Sequence, residues 1–403
     1  MHDEWDWIMT FADRVGRIKG SITLEMTARA AELRAQGVDV LNLSAGEPDF
    51  PTPDHIIEAA ERAMHEGYTR YTPGPGLPQV RQAVAEKLER DNAVRVTPDQ
   101  VIVSNGCKHA LFNASMALFQ HGDEVIIFAP YWVSFPELVN LADATPVIIS
   151  TDPEKQFEPL FDELEASITP RTRGIILNSP SNPTGGVWSR EAVERILELV
   201  RRHDLWLFSD ECYEALSYDR PFESPAALDP DFEKLLTFQS CSKTYAMTGW
   251  RLGYMAGPVS LVKAMTKIQS QSTSSPNSIS QMAAVAALTG DQAIVAERRE
   301  AFRHRRQIIV RELSQIPGLS CRNPGGAFYV FLGVRDLFGQ TAAGKTLRNA
   351  TDVTEYFLDQ ARVVTVSGEG FGDQEHIRLT YAVSDADISA ATSRIGSAVA
   401  QLE

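Results

Sequence analysis

A chain of 403 residues exceeds the size at which a single hydrophobic core stops growing, so two domains are expected. Its hydrophobic content of 43% and charged content of 23% are those of a globular protein, and a formal charge of −15 argues against non-specific binding to nucleic acid or an anionic membrane, leaving room only for a local basic pocket. The four cysteines, Cys107, Cys212, Cys241 and Cys321, show no CxxC pair or ligand spacing and read as reduced thiols.

The chain begins Met-His-Asp-Glu-Trp-Asp-Trp, acidic where a secretory signal is basic, and no run approaches the ~20 apolar residues of a membrane span. A cytoplasmic location is the expectation. Ile22 to Gln36 predicts a helix ended by Gly37, followed by a short strand from Val38 to Leu43 and a turn at Ser44-Ala-Gly46-Glu-Pro-Asp. His55 to Glu66 predicts a helix with Asp54 as its cap, and Tyr71-Thr-Pro-Gly-Pro-Gly-Leu is too rich in Pro and Gly for any regular element. Val101 to Ser104 reads as a buried strand, after which Asn105-Gly-Cys-Lys-His opens a helix with apolar residues at helical spacing. A strand, a glycine turn and a helix N-terminus make an anion seat, because free backbone N–H groups and the helix dipole face the ligand. Gly106, Cys107 and Lys108 are therefore candidate phosphate contacts.

Further strands are predicted at Glu124 to Ala129, Pro146 to Ser150, Gly174 to Asn178, Leu205 to Ser209, Leu235 to Gln239 and Leu252 to Ala256, with helices such as Glu191 to His203 between several of them. Short apolar strands alternating with helices predict an α/β fold with a largely parallel sheet covered on both faces, whose ligands bind beyond the carboxyl ends of the strands. Asn105, Tyr131, Trp132, Asn182, Asp210 and Lys243 all fall at such ends. The window Ser240 to Gly253 holds one lysine among small residues, with Ser240 and Ser242 before it and Arg251 after it. Lys243 suits imine formation with an aldehyde, and the two serines and Arg251 suit a phosphate; a surface lysine in a polar turn fits the window as well. Residues 292 to 315 predict a long basic helix whose arginines, Arg298, Arg299, Arg303, Arg305 and Arg306, read as a solvated or interface face. The remainder reads as a smaller α+β domain.

The lysine window, Asn-Pro-Thr-Gly after Asn182's serine-proline run, the strand-end Asp210 and His376-Ile-Arg-Leu together resemble the class I aminotransferases of fold type I, most of all their bacterial aspartate and prephenate branch. The match runs from Ser44 to Arg378. The resemblance implies pyridoxal 5'-phosphate as cofactor, and a large domain over 53–299 with a mostly parallel seven-stranded sheet. It further implies a small α+β domain over 300–403 and an N-terminal segment, 1–52, packed against it. It assigns Lys243 the Schiff base and proton transfer, Asp210 the ring nitrogen, and Asn182 and Tyr213 the phenolic oxygen. Trp132 would stack on the ring, and Gly106, Cys107, Lys108, Ser240, Ser242 and Arg251 would seat the phosphate. Tyr71 would reach the phosphate of a neighbouring subunit, making the active unit a homodimer.

For the substrate, the resemblance implies Arg378 on the α-carboxylate with Gly46, Trp132 and Asn182 beside it, and Lys19, Thr23 and Lys108 near the side chain. That favours aspartate or glutamate as donor, with 2-oxoglutarate, oxaloacetate or prephenate as acceptor. Glu25, where small apolar residues are more usual, argues against an acidic side chain. Neutral or aromatic amino acids, or a lyase or oxidase on the same scaffold, are the alternatives.

Overall fold

The structure, a computed structural model, describes residues 11–342 and 344–403, so the acidic start of the chain lies outside the described residues. The principal sheet runs in the order Val101–Ser104, Gly253–Ala256, Leu235–Ser240, Trp206–Asp210, Thr172–Asn178, Glu124–Ala129, Thr145–Asp152 and Glu158–Pro159. The five strands from Leu235–Ser240 to Thr145–Asp152 are parallel. Gly253–Ala256 is antiparallel to both of its neighbours. The expected seven strands are present, and Glu158–Pro159 adds an antiparallel eighth at the edge. Two residues carry no periodicity, which is why the sequence does not announce it.

Both faces of this sheet are apolar because helices cover both. Ile102, Ile127, Phe208 and Phe238 pack with Ala110, Leu111 and Ala114 of the Cys107–Leu118 helix. On the opposite face Ile126, Ile175 and Leu207 meet Val193, Ile196, Leu197 and Val200 of Arg190–Arg202. That helix starts where Ser189 accepts a hydrogen bond from the Ala192 N–H at 3.2 Å, and its buried residues recur at the three-to-four-residue spacing of one helical face. Each such buried aliphatic side chain contributes about 1.5–3 kcal/mol. Asp54, expected as a cap, is instead the first residue of its helix, Asp54–His65, with Pro53 in the capping position. A carboxylate in the first turn still lies favourably against the helix dipole.

A second, three-stranded sheet, Tyr329–Gly333, His376–Thr380 and Val366–Ser367, is antiparallel and wholly buried. Its core joins Leu332, Ile377 and Leu379 to Phe302, Ile309, Ile388 and Ile395 from the helices Ala293–Leu313 and Asp385–Val399. Leu41–Asn42 pairs in parallel with Val363–Val364, and Ala30 and Leu33 of Ile22–Ala35 pack on Leu358 and Val364. The Ala293–Leu313 helix passes through 299/300, where the sequence suggests a domain boundary, without a break. Two of its arginines depart from the expected solvated face. Arg306 is buried with Nη1 on Asp219 at 2.6 Å and on the Pro324 carbonyl at 2.8 Å, and Arg298 is buried with Nη2 on the Pro51 carbonyl. The helix lies between other elements, so these two guanidiniums reach a carboxylate and backbone carbonyls there, while Arg298 Nε and Nη1 and Arg306 Nε are buried without a partner. No described helix is long and apolar enough to cross a membrane.

Candidate active site

Where the parallel strands end and their helices begin, side chains turn into one cavity of about 360 Å³. Asp210 and Ser240 are the last residues of adjacent strands, and Ser242 and Lys243 follow directly in a short helical turn. Cys107 and Lys108 open the helix that follows the Val101–Ser104 strand, and Thr23, Gly46, Trp132, Asn182, Tyr213, Arg251 and Arg378 complete the wall. The sequence separates these residues by as much as 355 positions, 378 − 23; the strand ends bring them together.

One end of the cavity suits an anion. Gly106 stands at φ 84°, and the N–H groups of the first helical turn have no partner inside the helix. Arg251, itself at φ 56°, presses close: a Cβ on Gly106 would lie 2.6 Å from its Nη2. Arg251 Nη1 donates to the Thr248 carbonyl at 2.8 Å, and the Ser240 hydroxyl accepts from the Ser242 N–H at 3.4 Å. On the other strand edge the glycine of Gly253 is needed for the same packing, because a Cβ there would lie 2.7 Å from Cys107 Cα and from the Gly106 carbonyl carbon.

At the centre, Lys243 Nζ donates to the Gly46 carbonyl at 2.6 Å and lies 6.0 Å from the centroid of the Tyr213 ring. Removal from water holds its pKa down at about 8, in spite of the opposing pull of Cys212 and Glu47. Burial acts the other way on the Asp210 carboxyl, raising it to about 6, while the hydrogen bond that Oδ1 accepts from the Cys212 N–H at 3.1 Å works against the rise. The Tyr213 hydroxyl meets that of Tyr329 at 2.8 Å, and burial pushes its pKa up.

The third region holds Arg378, 1% exposed, with its guanidinium 4.6 Å from the Tyr329 ring centroid and 5.1 Å from that of Phe371. Nη1 donates to Asn182 Oδ1 at 2.9 Å and Nη2 to the Ser44 carbonyl at 2.7 Å, while Nε is buried without a partner. Lys108 Nζ sits 4.9 Å from the Trp132 ring centroid, its pKa lowered first by burial and then by Arg251.

Three of the sequence candidates are not on the wall: Gly106 by a single position, since Cys107 after it is, and Lys19 and Tyr71 altogether. Lys19 is exposed and outside the lining, with its backbone N–H on Glu137 Oε2 at 3.1 Å, because Gly20 separates it from the Ile22–Ala35 helix that supplies Thr23, Leu24 and Thr27 to the wall. Tyr71 is 90% exposed and outside this chain's cavity. Glu25 is exposed and also absent from the wall. Residues that sequence reasoning passes over include Cys212, Thr248, Glu47 and Tyr329. Thr248 lies inside the lysine window and Cys212 two residues past Asp210, so position alone could have flagged both; Thr248 Oγ1 donates to Glu47 Oε2 at 2.8 Å. Nothing local marks Tyr329.

A lysine with a lowered pKa, a buried carboxylate and an anion seat on one cavity of this sheet are the marks of a cofactor-dependent transferase. The family model described as aminotransferase class I and II matches residues 38–395, and the chain belongs to that family. It is a transaminase whose cofactor is pyridoxal 5'-phosphate and whose substrates are amino and 2-oxo acids. The chain is 45% identical over 395 residues to an aspartate aminotransferase of Rhizobium meliloti, covering 97% of this chain and 96% of the relative. It is likewise 45% identical over 388 residues to an aspartate/prephenate aminotransferase of Cereibacter sphaeroides, at 95% and 97% coverage. Among solved structures, a Rhizobium meliloti aspartate aminotransferase superposes with a TM-score of 0.94 at 44% identity, covering 98% of this chain and all of that one. A Thermus thermophilus aspartate aminotransferase with maleate gives 0.92 at 42% identity, with 97% of this chain and all of that one covered.

The residues present fit the cofactor. The donor set at the Gly106 end matches a phosphate, the buried Asp210 matches a ring nitrogen, and burial lets the Lys243 amine give up its proton more readily than an exposed lysine. When bound, pyridoxal phosphate supplies an electron sink for the charge left on the substrate α-carbon.

Proposed function

We propose that the chain transfers the amino group of an acidic amino acid, aspartate or glutamate, to 2-oxoglutarate or oxaloacetate. The observation that carries this reading is the pair of cations left over once the phosphate seat is assigned. Arg378 offers a planar fork for the α-carboxylate, and Lys108, over Trp132, offers a second positive charge for the side-chain carboxylate. Relatives named for aspartate, and the Thermus thermophilus aspartate aminotransferase solved with maleate, support a dicarboxylic substrate. Glu25, outside the cavity wall, offers no objection from that position. Prephenate also carries two carboxylates, and the aspartate/prephenate relatives put it on the same panel.

In this reading the backbone N–H groups of Gly106, Cys107 and Lys108, with Ser240, Ser242 and Arg251, would hold the phosphate, which leaves the Lys108 ammonium over Trp132 for the substrate, and Trp132 would cover the ring and exclude water. Asp210 would keep the ring nitrogen protonated, and Asn182 and Tyr213 would donate to the phenolic oxygen. Gly46 and Asn182 border the substrate carboxylate held by Arg378. Lys243 Nζ would take the proton from the amino acid's Cα as base and hold it for return as acid. Thr23 would line the side-chain end. The large exposed surface of Tyr71 fits a contact across a homodimer, and the four free thiols fit a cytoplasmic setting.

The test is a panel of amino donors against 2-oxoglutarate, oxaloacetate and prephenate. Aspartate or glutamate should lead in kcat/KM by at least tenfold over alanine, leucine and phenylalanine. Parity among them would overturn the dicarboxylate reading. For the dimer, mixing Tyr71→Ala and Lys243→Ala chains should restore part of the activity that each lacks alone, and no recovery would refute the shared site.

A further inference from the structure

At the ring-nitrogen position the cavity brings two thiols, which the transamination chemistry does not use, beside the Asp210 carboxylate. Cys107 Sγ, Cys212 Sγ and a carboxylate oxygen of Asp210 lie within 4.8 Å of one another. They come from two separate elements: Cys107 begins the helix after the Gly106 turn, while Asp210 and Cys212 stand at the end of the Trp206–Asp210 strand. Cys107 and Asp210 are buried, Cys212 is partly so, and all three face the cavity.

We propose that the chain without its cofactor binds one thiophilic divalent cation, Zn²⁺ above all, through these three side chains, and that cation and pyridoxal phosphate exclude one another. The inference rests on the reading that Asp210 serves the ring nitrogen. Two thiolates and one carboxylate with a fourth position left to water are a donor set that zinc accepts. Tetrahedral bonds of ~2.3 Å to sulfur and ~2.1 Å to oxygen place neighbouring ligand atoms ~3.5–3.8 Å apart, so the cluster needs to contract by at most about 1 Å. Two features keep it in register. Cys212 donates its N–H to Asp210 Oδ1 at 3.1 Å, which fixes the carboxylate toward its own thiol, and Cys107 is held by the close packing of Gly253. Lys243, the cation that could otherwise pair with Asp210, has its amine on the Gly46 carbonyl.

Binding converts both thiols to thiolates, and their protons leave to solvent as two metal–sulfur bonds form. A cation at this point carries its charge where the protonated ring nitrogen would stand and takes over the carboxylate that this nitrogen needs. Mutual exclusion follows.

The full-length chain is titrated with Cd²⁺ alone, and separately with Zn²⁺ alone, with and without saturating pyridoxal phosphate. The readouts are the ultraviolet thiolate-to-cadmium band, proton release and calorimetric stoichiometry. Expected are one Cd²⁺ and about two protons per cofactor-free chain, at least a tenfold weaker affinity in C107S and in C212S, no change in C321S, and at least a tenfold weaker affinity when cofactor is bound. Unchanged binding in the C107S/C212S double variant, or equal binding with and without cofactor, overturns the proposal. A thiol-to-cadmium band that persists in Asp210→Asn at full affinity also overturns it, since the carboxylate would not be a ligand. The absorbance of bound cofactor in C212S separates this from the function: its retention alongside weakened cadmium binding supports the proposal, whereas failure of the parent chain to take up cofactor strikes the reading of Asp210 instead.

Discussion

Removing Arg378 tests the substrate end of the site most directly. Its guanidinium is buried on two aromatic rings, makes hydrogen bonds to Asn182 Oδ1 and the Ser44 carbonyl, and has a buried Nε with no partner. A hydrogen bond to a charged group contributes about 1.5–3 kcal/mol, so a two-bond carboxylate clamp is worth about 3–6 kcal/mol. At about 1.4 kcal/mol per tenfold, Arg378→Met should lower kcat/KM for amino acid and oxo acid alike by about 10²–10⁴. Arg378→Lys keeps the charge but not the fork, and should lose about 10–150-fold, mainly as a higher KM. The phosphate seat lies elsewhere, so both variants should still show bound-cofactor absorbance. Steady-state rates over a range of both substrates decide the matter. If Arg378→Met stays within threefold of the parent, or if its whole loss is restored by added cofactor, Arg378 does not hold the carboxylate.

Asp210→Asn should behave oppositely in stability and in catalysis. The parent carboxyl is raised from 3.8 to about 6 by burial, so the folded chain binds more protons than the unfolded one between those values, and the stability this gives at low pH is lost as pH rises through about 6. In cofactor-free chain, denaturant midpoints should therefore show the Asn variant gaining on the parent from pH 4 to pH 7 by about 2–3 kcal/mol, while transamination falls by orders of magnitude; a constant gap across that range would refute the assignment. Gly253→Ala should weaken cofactor binding at least tenfold, measured by absorbance titration, because its Cβ would force the Gly106–Cys107 turn outward; unchanged affinity would mean the turn yields without cost. Lys87→Met should lower stability by about 3–5 kcal/mol in denaturant unfolding and leave the cofactor site intact. Its buried Nζ serves Asn92, Glu214 and Gln239, each at 2.7 Å, and a loss under 1 kcal/mol would show that network to be dispensable.

The element pattern was largely legible in the amino-acid order because buried parallel strands read as short apolar runs and their helices as three-to-four-residue periods. Glu124–Ala129 is found where the pattern places it, and Arg190–Arg202 is displaced by one residue. Several candidate residues were legible for a related reason: Cys107, Trp132, Asn182, Asp210 and Lys243 stand at or just past the end of a strand, where a parallel sheet opens toward a ligand. Burial was not legible. The arginines of Ala293–Leu313 look alike in sequence, yet Arg306 is buried on Asp219 while Arg299 is exposed, a choice made by elements far away in the chain.

Local order, then, determined which segments become strands and helices and which polar groups stand at their ends, since those follow from side-chain periodicity and turn chemistry within a few residues. Tertiary structure alone decided that Lys19 stays outside the cavity while Thr23 enters it, that Tyr329 joins Tyr213, and that Cys107 meets Cys212 beside Asp210. Such meetings depend on how separate elements pack, and packing is set by the whole set of buried contacts at once, which no short window of sequence contains.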